Sequence, residues 1–114
     1  MTTPSERSLE QEIRSKGLNA PRITPDMVDQ SIAAKQFYVF PGTTVTVCCL
    51  TLLNGFNVVG ESAAASPENF NLEIGQKVAF ENARNKIWSL LGFELRSSLH
   101  LAQQQWLAAM KQEG

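Results

Sequence analysis

The pattern of polar and apolar positions divides the chain in two. Residues 1–22 are polar and hold few apolar anchors, so they form either a flexible segment or a helix around Leu9–Arg14 that needs a partner. From residue 23 to residue 114 apolar positions recur closely enough for a single α+β domain. Thr24-Pro25-Asp26 opens a helix there: the hydroxyl caps, proline fits the first helical position, and aspartate suits the positive end. Met27, Val28 and Ile32 supply its inner face, and it is expected to run almost to Pro41-Gly42, with Phe37, Tyr38 and Phe40 packing on the next element of the chain.

"TTVTVCCLTLL" is rich in β-branched residues and predicts a strand. Asn54-Gly55 predicts a two-residue hairpin turn with positive φ at both positions, and "FNVVGES" predicts the return strand. In that register Leu53 faces Phe56, Thr51 faces Val58 and Cys49 faces Gly60, and this face meets the helices. The other face then carries Leu52, Leu50, Cys48 and Val59 among Asn57 and Glu61, too apolar for water, and it calls for a second subunit. Ser66-Pro67-Glu68 predicts the next helix start, and the helix is expected to end at Gly92. Leu72, Ala79, Ala83, Ile87 and Leu90 form one stripe on it; Phe70, Ile74, Val78 and Trp88 form another. A last amphipathic helix carries Leu95, Leu99, Ala102, Trp106 and Ala109 on one side. The expected fold is therefore α+β: a two-stranded antiparallel hairpin packed against about three helices, assembled as a homo-oligomer.

Charge narrows the partners. The 114 residues carry ten basic and eleven acidic side chains, scattered rather than clustered, which disfavours nucleic acid and anionic membranes. No charge falls between Lys35 and Glu61, yet Pro41-Gly42, the threonines and Asn54-Gly55 interrupt any membrane span. Cys48 and Cys49 are neighbours that point to opposite faces of a strand, so they do not pair, and free thiols suit a reducing cytosol. The amino-terminal residues have no apolar signal core.

Catalytic chemistry is poorly supplied. His100 is the single histidine, Asp26 and Asp29 are the only aspartates, and no convergent set of ligands suggests a metal. We expect no enzyme activity and no cofactor. Binding chemistry is richer. The helix start at Ser66–Phe70 offers free N–H groups to a phosphate or carboxylate, with Ser66, Asn69 and the Phe70 ring beside it. "ENARNK" adds Asn82, Arg84 and Lys86, and Arg96 comes after it. Each has a plainer role open to it: Ser66 as a cap, Phe70 as core, the charged run as a solvated helix face, Arg84 with Trp88 as a protein contact.

"NGFNVVGES", "SPENF", "EIGQKVAFENARNKIW" and "LLGFELR", in this order, resemble a small tailed-phage family labelled by gene-product numbers forty-nine and sixty-six. The resemblance runs from about Thr24 to Arg96 and names no activity. In size and layout the chain also resembles the phage anti-Thoeris proteins, oligomers that sequester cyclic ADP-ribose-type signals or cyclic oligonucleotides. The resemblance implies an accessory counter-defence protein of the host cytoplasm that binds a nucleotide-type immune signal without catalysis, in pockets between subunits. The seven candidate binding residues come from their own chemistry and not from that likeness. The alternative is an interaction module that docks on a host enzyme or a phage assembly.

Overall fold

In the computed structural model, which describes residues 2–113, the elements run in the order α1 (Pro4–Ser15), α2 (Pro25–Gln30), β1 (Ile32–Val39), β2 (Val45–Leu52), β3 (Asn57–Ala63) and α3 (Leu72–Glu113). The class is α+β. The expected two-stranded hairpin is instead a three-stranded antiparallel sheet in the order β1-β2-β3. The added strand comes from residues expected to be helical. Ala33-Ala34-Lys35-Gln36 are good helix formers, but propensity is a weak prior. The helix begun by Thr24, whose hydroxyl accepts the Met27 N–H, ends at Gln30. Ser31 turns its hydroxyl back onto the Val28 carbonyl, and its own carbonyl accepts the Leu53 N–H. From there Lys35 pairs with Leu50, Phe37 with Cys48 and Val39 with Thr46.

The β2–β3 register differs from the expected one by one residue: Leu50 pairs with Val58, Cys49 with Val59 and Cys48 with Gly60. The turn is the reason. Gly55 alone in this turn has positive φ, at 89°, and no non-glycine among the described residues does. The Gly55 N–H bonds the Leu52 carbonyl and the Leu52 N–H bonds the Phe56 carbonyl. This is a three-residue loop, a type I turn closed by a glycine bulge, rather than the two-residue turn.

The faces change accordingly. Thr46, Cys48, Leu50 and Leu52 are buried under α3, together with Val58 and Gly60. Across from them lie Ala79, Phe80, Ala83 and Ile87 of α3 and Val28 of α2. Leu52, Leu50 and Cys48, expected on the face that needs a second subunit, are the core of one subunit, while Val59 of that row stays exposed, so most of that ground for an oligomer is gone. Thr51 and Cys49, expected against the helices, lie on the uncovered face.

The two carboxy-terminal helices expected from the sequence are one, and the Ser66 start is displaced. Pro67–Asn69 is a single 3-10 turn and Ser66 makes no capping hydrogen bond. The cap of α3 is Asn71, whose side chain accepts the Ile74 N–H at 3.0 Å. Gly92 does not stop the helix: an interior glycine costs only about 1 kcal/mol, and no proline comes after it. At 42 residues α3 spans about 63 Å, against a longest molecular dimension of 71 Å, so its second half projects past the sheet.

Candidate functional site

Of the candidate residues, Asn69, Phe70 and Asn82 share one groove. They line a groove of ≈ 760 Å³ where the start of α3 passes β3, with Phe40, Val47, Glu61 and Ile74 around them. The groove has a ring, amides and one carboxylate, but no lysine or arginine lines it. Ser66 stays outside it.

Asn82, Lys86 and Arg84 are engaged elsewhere, and Arg96 lies away from the groove. Asn82 Nδ2 donates to the Glu61 carbonyl at 2.8 Å, and Lys86 Nζ donates to the Val59 carbonyl at 2.6 Å. Those carbonyls belong to the residues of β3 whose backbone faces away from β2, so two side chains one helical turn apart close the free edge of the sheet. Arg84 is 3% exposed. Its Nε donates to Asp29 of α2 at 2.8 Å and its Nη1 to Glu6 of α1 at 2.9 Å. Arg96 is exposed on the projecting half of α3, beyond the sheet.

The Arg84 cluster holds the amino-terminal helix. Thr3 and Glu6 form a reciprocal cap at the start of α1, and Arg22 reaches Glu10 with both terminal guanidinium nitrogens. Burial alone pushes the Glu6 carboxyl up, but the hydrogen bonds from Arg84 and the Thr3 N–H, with the Arg84 charge, outweigh it and hold the carboxyl below its ordinary value. Among the described residues Arg84 Nη2 is buried without a hydrogen-bond partner.

A second cavity of ≈ 700 Å³ opens between the start of α1, β1 and α3. Lys35, Lys77 and Arg84 on its wall are matched by Glu6, Glu73 and Glu81, and the Lys35 ammonium sits 5.2 Å from the centre of the Phe80 ring. A balanced wall of this kind gives no pull on a phosphate. Catalytic groups do not converge among the described residues: His100 is exposed on the projecting helix, and Cys48 is buried, which pushes its thiol up. Among the described residues no three potential metal ligands cluster. Among the described residues no helix is long and apolar enough to cross a membrane.

The sequence reading expected an open apolar face of the sheet but, Val59 apart, gave it the wrong apolar residues. Tyr38 and Val59 are exposed there, Val47 and Cys49 are half-buried beside them, and Tyr38 packs edge-on against Phe40 at 5.0 Å. The two edges of the sheet differ. β3 is closed by Asn82 and Lys86, whereas among the described residues no side chain hydrogen-bonds the outer backbone of β1, which carries a bulge between Ile32 and Ala34 and has the start of α1 across a cavity from Lys35 and Phe37. The signal available was "QFYVF", an aromatic and β-branched run that fits a strand better than a helix end.

A protein-family model described as "Phage protein (N4 Gp49/phage Sf6 gene 66) family" matches residues 23–99, close to the span expected from the motifs. That span covers α2, the whole sheet and the part of α3 that packs on it, and leaves out α1. No curated protein and no solved structure matches the chain. The expected likeness to the signal-sequestering proteins gains no support from these comparisons.

Proposed function

The chain belongs to the phage protein (N4 Gp49/phage Sf6 gene 66) family, and from that premise we propose that it is a docking protein, acting in the infected host cell without catalysis. The observation that carries this reading is the asymmetry of the sheet: one edge is closed by side chains of α3, while the other edge and one apolar face are left open. An extended segment of a partner protein adds to β1 through its outward backbone groups, those of Lys35, Phe37 and Val39. Specificity then comes from the Tyr38, Val47 and Val59 face beside it.

Proline at an outward-facing N–H of an edge strand is tolerated by the fold but blocks strand addition. Lys35→Pro is therefore expected to keep its thermal transition and to lose a stoichiometric partner that the wild-type chain retains from infected cells, as Tyr38→Asp also should. Retention of the same partner by Lys35→Pro would sink this reading.

A second reading, sequestration of a nucleotide-type signal, rests on the groove that joins the Phe70 ring to Asn69 and Asn82. With no cation on its wall, one subunit grips a base there and leaves phosphates to solvent or to a second subunit. Calorimetry with cyclic dinucleotides and cyclic ADP-ribose is expected to show binding that Phe70→Ala abolishes. No heat with any of them, or turnover of the bound compound, rules this reading out.

A further inference from the structure

The second half of α3 leaves the sheet with an apolar stripe and nothing on it. Leu99, Trp106 and Met110 are exposed, Trp106 by 61%. The stripe has alternating spacings of three and four residues: Gly92, Leu95, Leu99, Ala102, Trp106, Ala109. That spacing keeps one seam facing one neighbouring helix. Glu94, Arg96 and His100 lie off the seam, so it carries no charge.

We propose that this segment pairs antiparallel with the same segment of a second copy of the chain. The pattern of sizes selects the occupant and the register. In an antiparallel pair Gly92 lies against the partner subunit's Ala109, Leu95 against the partner's Trp106, and Leu99 against the partner's Ala102. Two small residues then meet at both ends, each layer between holds at least one large residue, and the pairing is its own two-fold mate. Gly92 gains a role that the single subunit does not give it. It sits inside a helix at a cost, and a Cβ built on it meets nothing within 4 Å. Opposite Ala109 it lets the two backbones approach closely at each end of the seam.

Orientation is set by the elements along the same side of α3 nearer the sheet. Arg84, Trp88 and Leu91 lie along that side of α3, and there α2 covers it, through Asp29 on Arg84 and through the core that Val28 joins and that Trp88 and Leu91 pack against. Two parallel helices at a packing distance of about 8–10 Å leave no room for two copies of α2 between them. An antiparallel pair puts the two bodies at opposite ends of the shared segment, which is about 27 Å long. Its seam covers the part of the stripe that α2 leaves open. This surface is separate from the open sheet face, so the inference stands whether or not a partner docks there.

The experiment uses the whole chain. Sedimentation equilibrium at micromolar concentration is expected to give twice the chain mass for the wild type. Trp106→Glu should give the single-chain mass with unchanged far-ultraviolet circular dichroism, since residue 106 lies on the projecting half of α3, away from its own subunit's sheet. Orientation is read in a Cys49→Ser background: Gly92→Cys and Ala109→Cys chains should form a disulfide-linked dimer when mixed, and neither should do so alone. A monomeric wild type overturns the proposal and assigns the stripe to some other protein. A trimer, a dimer unaffected by Trp106→Glu, or self-linkage of Gly92→Cys alone also overturns it.

Discussion

Substituting Gly60 with alanine is expected to lower the midpoint of thermal unfolding by more than about 10 °C, roughly the effect of 2–3 kcal/mol on a domain of this size. Gly60 sits on the inner face of β3 where α3 crosses it. A Cβ there would lie 2.5 Å from the Ala79 carbonyl oxygen and 2.7 Å from the Ala83 Cα, and closer still to the Ala83 nitrogen. All three are backbone atoms, so no side chain can swing aside. The helix must lift from the sheet, and with it the contacts of Ala79, Ala83 and Ile87 on Leu50 and Val58 loosen. Overpacking of this kind costs about 1–3 kcal/mol and more where backbone must move. Against a total stability of about 5–15 kcal/mol, Gly60→Val should leave little folded protein. Val59→Ala, on the exposed face next door, should change stability by less than about 0.5 kcal/mol and serves as the control. An unchanged midpoint for Gly60→Ala would mean that α3 does not run this close to β3.

That close approach shows why some of the fold was legible and some was not. β2, β3, the Thr24 cap and the Ala79–Ala83–Ile87 stripe rest on local signals: β-branched runs, a cap residue, helical spacing. β1 was hidden because its first half is composed of helix formers, and its state is decided by pairing with β2. Asn54-Gly55 marked the turn correctly but suits more than one turn type, and the type sets the register. Gly92 looked like a stop because the packing that makes a long helix worthwhile is not local. The candidate residues divide in the same way. Asn69, Phe70 and Asn82 share a groove because they are near one another in the chain and meet at one end of α3. The roles of Lys86 and Arg84 depend on what α3 passes, the edge of β3 on one side and α1 with α2 on the other. No spacing within "ENARNK" encodes those neighbours.

Arg84→Met is the second large effect. Breaking a buried ion pair from one side costs about 3–5 kcal/mol when both partners are buried. Here Glu6 and Asp29 keep 16% and 25% of their side-chain exposure, so water recovers part of the loss and about 2–3 kcal/mol is expected. Lysine should not restore it, because a single ammonium lacks the fork that reaches Asp29 through Nε and Glu6 through Nη1 at once. The loss should be uneven across the molecule. No residue of α1 is buried, so its attachment rests on Glu6–Arg84 and Glu10–Arg22 rather than on apolar packing. Amide hydrogen exchange in Pro4–Ser15 should therefore rise far more in Arg84→Met, and in Glu6→Gln, than exchange in the sheet. Acid should do the same to the wild type. Glu6 has its carboxyl lowered from the ordinary 4.5, so its contribution is complete above that value and is lost as the pH falls through the lowered one. Protection of α1 is thus expected to drop below pH 4.5 in the wild type and to show a smaller step in Glu6→Gln, where only the Glu10–Arg22 pair is left to be lost in acid. A step of equal size in both would place the acid-sensitive contact elsewhere and remove Arg84 from its role as the post that ties α1 and α2 to α3.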